Sequence, residues 1–390
     1  MIAQSTMDIT RPSPLLGGLT PQVFMRRHWQ KKPLLVRQAV PGGAVLAPRA
    51  RLFALASQEE VESRLVVREG AAWSMQAGPI KRSAFPPLKQ REWTLLVQGL
   101  DLHVPAARTL LDRFRFVPDA RLDDLMVSFA TDGGGVGPHI DSYDVFLLQT
   151  QGRRRWKIGR VRAPELVVDV PLKILSNFEA ENEWLLEAGD MLYLPPGWAH
   201  EGTAEGECTT ASIGFRAAAR HEIGRDVLQR MLDATDAEAT PVLYRDASQA
   251  ATDRPARVPE ALLAFAADAV ARLTADTASL DCALGEVLSE PKRGVWFDPA
   301  EPEGDVPPGA VQLDLRSRML YDDRHVFING ESYRASGRDA TLMRRLADRR
   351  ALGADDVAGL SAPARELLDE WLRSGWLVLD RHPTPKGGAA

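Results

Sequence analysis

Cysteine is scarce: the chain of 390 residues holds two, Cys208 and Cys282. They stand far apart and outside any Cys-x-x-Cys pair, which argues against a disulfide framework or a thiolate zinc site and fits a reducing cytoplasm. Long apolar runs are missing too, and no stretch approaches the roughly 20 residues of a membrane span. The opening Met-Ile-Ala-Gln-Ser-Thr-Met-Asp lacks a basic n-region and an apolar h-region, so no secretory signal is read. Nor is there a basic excess. The net charge of −5 argues against a dedicated nucleic-acid binder and suits a basic protein partner. What remains, 45% hydrophobic and 26% charged residues, describes a soluble globular protein long enough for two or three domains. His28 and His103 have no metal-spaced partner and read as structural or surface residues.

Residues 20–30 read as a short helix, with Thr20 as N-cap and Pro21 at the first helical position. Strands are expected at 31–37, 65–69 and 92–98, a glutamate-rich helix at 57–64, and an imperfect helix at 106–116. Residues 122–130 form a further strand, running into glycines.

The stretch from Gly133 to Gln149, GGGVGPHIDSYDVFLLQ, organises the rest. Its glycines have a phosphate-loop alternative. No Gly-Lys-Ser/Thr follows, however, and Pro138 takes the last glycine position of GxGxxG. A flexible lip beside a site, or a bulge, is the better reading. After Pro138, alternation places His139, Asp141, Tyr143, Val145, Leu147 and Gln149 on one strand face. His-x-Asp then aims an imidazole and a carboxylate at one point, roughly 7 Å apart along the backbone. A third ligand comes from residues 187–200, where a Gly-Asp turn and a short strand lead through Pro-Pro-Gly-Trp to His200. Two histidines and a carboxylate leave coordination positions open, which suits redox-active Fe(II) and less often Mn or Zn. A structural zinc would want four closed ligands. The alternative, in which Asp141 orients a core histidine and His200 lies on a surface turn, leaves this order of residues unexplained.

Together GPHIDSYDVF (137–146), QGRRRW (151–156), GDMLYLPPGWAHEG (189–202) and SIGFRA (212–217) resemble the bacterial ribosomal oxygenases. These are JmjC-type 2-oxoglutarate dioxygenases of cupin fold, and the ribosomal protein arginine hydroxylases among them are the most similar. The resemblance spans residues 29–218 and, by order of parts, the remainder. It implies an α+β chain. A double-stranded β-helix (cupin/JmjC jelly roll) would occupy 1–218, a helical dimerisation layer 219–298, a winged-helix domain 299–382, and a disordered tail 383–390. It also implies Fe(II) on His139, Asp141 and His200 as the catalytic centre, with 2-oxoglutarate as co-substrate and O2 as oxidant. The implied substrate is an arginine of a large-subunit ribosomal protein, the sixteenth of the L type.

Such chemistry calls for a cation to hold the distal carboxylate of 2-oxoglutarate. Gly152 reads as a turn, and the return strand alternates: Arg154, Trp156 and Ile158 share one face, Arg153, Arg155 and Lys157 the other. The apolar partners mark Arg154 as inward, and the resemblance points to the same residue. Its planar fork grips a carboxylate with two hydrogen bonds. The opposite face reads as a basic edge that blunts strand pairing. Ser128 and Tyr143 are candidates around the co-substrate, with Thr210 and Ser212 on the strand 208–215. Asp123 and Asp124 begin the strand 122–130, and Asp124 shares a face with Met126 and Ser128. These acids, with Ser212, are the candidates for holding a substrate guanidinium. A plain charged strand end is the competing reading.

Beyond the barrel, apolar spacing gives helices at 220–233 and 259–290, which the resemblance casts as a homodimer interface. Strands at 311–315 and 325–329, an Asn329-Gly330 hairpin tip, helices at 340–349, 355–360 and 364–373, and a strand at 375–379 follow in winged-helix order. Arg344, Arg345, Arg349 and Arg350 are balanced by acids, so the module reads as a protein contact and not a nucleic-acid contact. The rival functions are a small-molecule cupin oxygenase, a hydroxylase of histidine or another residue, a demethylase, and a non-catalytic binding protein.

Overall fold

The computed structural model describes residues 8–234, 242–247, 251, 254, 256–299 and 309–379. Helix α1 (Pro21–Arg27) starts as its sequence dictates, with Thr20 accepting a hydrogen bond from the Val23 N–H at 3.1 Å. Strand β1 (Leu34–Val36) and helix α2 (Arg49–Ala56) follow. The stretch 57–64 is not the helix expected. Its polar residues offer no apolar stripe to bury, and the chain turns so that Val61 and Val66 reach the core. Strand β2 (Ser63–Glu69) begins within it.

Next come β3 (Ala72–Ala77), β4 (Trp93–Val97), α3 (Pro105–Asp112), β5 (Leu122–Ala130) and β6 (His139–Ile140). Strands β7 (Val145–Arg160), β8 (Asn182–Glu187), β9 (Met191–Leu194) and β10 (Trp198–Phe215) complete the set. The strand order is β1-β9-β7-β10-β5-β4-β2-β3, with β8 added on β7 and β6 on β10. The 16 residues of β7 and the 18 of β10 pair antiparallel from Trp198 opposite Arg160 to Gly214 opposite Val145. Their outer partners change halfway. The first half of β7 pairs with β9 and the second with β8, while β10 passes from β6 to β5. Two long strands therefore run through both sheets of a jelly roll.

That continuity corrects the reading of Gly152. It is no turn but a bend inside β7, at φ 65°, where a Cβ would lie 2.3 Å from the Glu207 carbonyl oxygen. The register of β10 slips at the same level, between Glu205 and Thr209. The strand expected to run on from His139 is likewise interrupted. Residues 141–144 leave the sheet, and pairing resumes at Val145.

Burial follows the alternation. Phe146, Tyr193 and Phe215 point inward with Phe24 of α1 and form a ring cluster with centroids 4.8–5.8 Å apart. Each such ring contributes roughly 1.5–3 kcal/mol by burial. Asp144, fully buried beneath them, accepts from Tyr193 Oη at 2.6 Å and Gln30 Nε2 at 3.1 Å. Its contacts pin the interrupted segment to the turn after α1 and to β9.

Helix α4 (Arg220–Asp233) packs Val227 and Met231 against Ala283 of α6 (Thr277–Ser289). Between them α5 (Glu260–Ala275) buries no side chain. The expected helix 259–290 is thus two, broken at Asp276, which caps α6 through the Ala278 N–H. The last unit holds β11 (Val311–Leu313), β12 (Met319–Tyr321), β13 (His325–Ile328), β14 (Glu331–Arg334), α7 (Gly337–Arg349), β15 (Ala351–Leu352), α8 (Ala354–Ala358), α9 (Ala362–Arg373) and β16 (Leu377–Leu379). Asn329 and Gly330, both at positive φ, make the β13–β14 turn as expected. Arg344 donates to the Asp322 and Asp323 carbonyls, Arg345 pairs with Asp356, and Arg350 donates to the Ser317 and Asp314 carbonyls. Those arginines hold the fold together. The expected tail 383–390 lies outside the described residues.

Candidate metal centre and co-substrate pocket

The antiparallel register sets His200 of β10 directly opposite His139 of β6. Their ring centroids are 4.2 Å apart, and Asp141 Oδ2 stands 3.6 Å from His200 Nε2. One ligand atom from each of His139, Asp141 and His200 falls within 4.8 Å of the others. Asp141 arrives from the loop after β6, where its carbonyl accepts the Gly197 N–H at 3.0 Å and ties it to the Pro-Pro-Gly corner.

The glycine run before His139 is a packed segment, not a free lip. Gly133 and Gly134 exchange hydrogen bonds with Ala204, and a Cβ on Gly135 would lie 2.5 Å from the Gly202 oxygen. Only glycine lets the backbone come this near β10.

Both histidines are oriented alike. His139 Nδ1 is 2.9 Å from the Gly137 carbonyl, and His200 Nδ1 is 3.0 Å from the Trp198 carbonyl. A carbonyl can only accept, so each Nδ1 carries the proton and each Nε2 presents a lone pair toward the cluster. Burial pushes His200 down to about 3, helped by the neighbouring His139, so this ring is neutral. Burial also raises Asp141, against the pull of His139 and a hydrogen bond from Tyr143. Two imidazoles that each turn Nε2 to the cluster and a desolvated carboxylate fit a divalent cation, whose charge would favour the ionised acid.

The cluster opens into a cavity of about 560 Å³ lined by Ser128, Tyr143, Arg154, Asp123, Asp124 and Ser212, all expected at the site. Arg154 is buried, and its Nη1 donates to Ser128 Oγ at 3.1 Å. Its Nε and Nη2 have no hydrogen-bond partner among the described residues. Leaving two buried guanidinium N–H groups without acceptors is costly, and a carboxylate seated there would satisfy them. Tyr143 is partly exposed, and burial together with Asp141 raises its phenol above the ordinary range. Thr210 does not line the cavity: it is buried and donates to Gln149 Oε1 at 2.9 Å. Asp124 is buried and already accepts from the Gly99 N–H, while both acids are paired with Lys292.

Sequence reasoning missed Thr94, Arg64 and Trp156 as cavity residues. Trp156 had a signal, since it shares a face with Arg154, and its ring lies against His200 and opposite Gly202. Thr94 and Arg64 come from strands whose pairing partners are distant in sequence.

Comparison with known proteins agrees with this geometry. The JmjC domain family matches residues 109–223, and the ROXA-like winged helix matches residues 272–378. The solved structure of YcfD, a ribosomal oxygenase from Escherichia coli in complex with cobalt and 2-oxoglutarate, superposes with a TM-score of 0.78 at 30% identity. That match covers 93% of this chain and 98% of that one. The chain belongs to the ribosomal oxygenase family. Among curated ribosomal oxygenases it is 41% identical over 202 residues to the ribosomal protein uL16 3-hydroxylase of E. coli (strain K12). It is 36% identical over 220 residues to a probable ribosomal oxygenase of Haemophilus influenzae. These alignments take in 51% and 55% of this chain and span 53% of each curated relative, about half its length. The jelly roll and winged helix expected from the resemblance are both present, and no described helix is long and apolar enough to cross a membrane.

Replacing Arg154 with Met should weaken 2-oxoglutarate binding by about 100-fold, the loss of a bidentate charged contact, while Mn(II) binding stays within about threefold. Isothermal titration with each ligand measures both. Equal loss of both, or of neither, would remove Arg154 from the co-substrate site.

Proposed function

We propose that this protein is an Fe(II)- and 2-oxoglutarate-dependent dioxygenase that hydroxylates an arginine side chain of a large-subunit ribosomal protein, the sixteenth of the L type. The observation that carries the reading is the buried guanidinium of Arg154, with Nε and Nη2 unpartnered, in the same cavity as the His139–Asp141–His200 cluster. A metal that binds an α-keto acid needs that pairing of open ligand set and distant cation. The cobalt and 2-oxoglutarate recorded for YcfD and the uL16 hydroxylation named for the E. coli relative support it.

His139, Asp141 and His200 would hold the metal, and Arg154, braced by Ser128, would hold the distal carboxylate. When bound, Fe(II) with 2-oxoglutarate and O2 supplies oxidative decarboxylation to succinate and CO2, with the other oxygen atom entering a C–H bond as hydroxyl. The chain's own residues prepare that step. The Gly137 and Trp198 carbonyls fix which ring nitrogen each histidine offers. Trp156 and Leu147 wall the cavity and limit water around the reacting groups. At the other end Asp123, Asp124 and Ser212 provide oxygen acceptors for a cationic side chain. A ribosomal protein, being basic, also suits a chain of net charge −5. The winged helix would contact the protein substrate, and the setting would be the cytoplasm.

With Fe(II) and purified large-subunit ribosomal proteins, 2-oxoglutarate should yield succinate in step with a gain of one oxygen atom on an arginine-containing peptide. Both should vanish in Asp141→Ala, as mass spectrometry will show. Succinate without peptide oxidation would sink the substrate, and its absence under all conditions would sink the oxygenase.

The same reading makes the protein a homodimer through its helical layer. Leu262, Leu263, Val270 and Leu273 of α5 are 37–62% exposed, an apolar face with no cover among the described residues. Light scattering should give twice the chain mass of 42.9 kDa, and Leu263→Asp should return it to one. A monomeric native chain would refute the dimer.

A further inference from the structure

The ammonium that pairs with both Asp123 and Asp124 comes from the far half of the chain. Helix α6 ends at Ser289, and Lys292 follows in the segment leading to the winged helix. Its Nζ lies 3.0 Å from Asp123 Oδ1 and 3.2 Å from Asp124 Oδ2. Lys292 does not line the catalytic cavity. It approaches from a second, smaller one that it shares with Val295, Arg316 and Arg318.

The two oxygens of Asp124 are differently engaged. Oδ2 accepts from the Gly99 N–H at 2.9 Å and from Lys292, whereas Oδ1 faces Gly214, a residue of the cavity wall. One oxygen is thus locked from behind and the other is presented forward. Arg216 Nε stands 3.5 Å from Asp123 Oδ1, a second cation beside the pair. Burial pushes Asp124 up to about 6. Lys292 pulls against that, and Asp123 and Asp101 add to it. Tyr143 also feels Asp124. The ammonium keeps its charge: burial lowers it, but Asp124 and Asp123 outweigh the penalty.

We propose that Lys292 is a positioning residue of the active site, a strut from the C-terminal half that fixes Asp123 and Asp124 where a cationic side chain is received. This rests on the reading that those acids meet the substrate. Without the strut, Asp124 is a buried carboxylate with no adjacent cation. It takes up a proton readily, and an acceptor oxygen becomes a donor facing another donor. The helical layer and winged helix then shape what the barrel accepts, and are more than appended parts.

The test uses the full chain loaded with Mn(II) and the probe N-acetyl-arginine methylamide. Binding is followed by paramagnetic broadening of the probe's side-chain proton signals. Lys292→Met should bind the probe about tenfold more weakly than the native chain, with Lys292→Arg within about threefold, the charge being kept. Lys292→Gln should behave like Lys292→Met and serves should that variant fail to fold. All variants should retain native affinity for Mn(II) and 2-oxoglutarate, a selectivity that a merely structural residue would not show. Native probe binding in both Lys292→Met and Lys292→Gln would overturn the proposal, as would absence of binding in the native chain. Parallel loss of 2-oxoglutarate affinity would overturn it too. If the probe behaves as expected but no ribosomal protein is hydroxylated, the substrate assignment falls while the role of Lys292 stands.

Discussion

The register that places His200 opposite His139 is the constraint on which the rest depends. A slip of one residue in β10 would turn His200 away from the cavity and bring Ala199 to face it. The register is secured by the unbroken pairing of β10 with β7 from Trp198 opposite Arg160 to Glu205 opposite Arg153, so the two histidines inherit their position from paired strands and not from a loop. Asp141, which does come from a loop, is held by the Gly197 contact, and Asp144 three residues on is anchored in the core. Those fixings do for the carboxylate what strand pairing does for the histidines.

Around that frame the pocket separates two kinds of charge. At one end Arg154 is buried with unspent donors, a site shaped for a carboxylate. At the other, Asp123 and Asp124 are buried or half-buried acceptors held in place by Lys292 and Arg216. The metal cluster opens into the same cavity. A small anionic co-substrate and a cationic side chain would so be sorted to opposite ends, each meeting the charge that suits it and repelled by the other.

Much of this was legible in the sequence because it rests on local alternation. The inward face of Arg154, Trp156 and Ile158 and the strand Leu122–Ala130 follow from a period of two residues. His139 and His200 were legible through the glycine and Pro-Pro-Gly punctuation beside them. What eluded it depends on contacts between distant segments. Gly152 has the look of a turn, and only the pairing of β10 on both sides of it shows that β7 continues through the bend. Thr94 and Arg64 enter the cavity because β4 and β2 extend the sheet beyond β5. Lys292 reaches Asp124 across the domain boundary, and no spacing rule links them. For the same reason the acids looked free in sequence, and prove to have a resident cation.

The most direct test of the account is an anaerobic crystal structure with Mn(II) and 2-oxoglutarate. The account predicts an anomalous peak bonded to His139 Nε2, Asp141 and His200 Nε2, with the distal carboxylate of 2-oxoglutarate on Arg154 Nε and Nη2. A metal bound elsewhere, or a co-substrate carboxylate that leaves Arg154 unpaired, would contradict it.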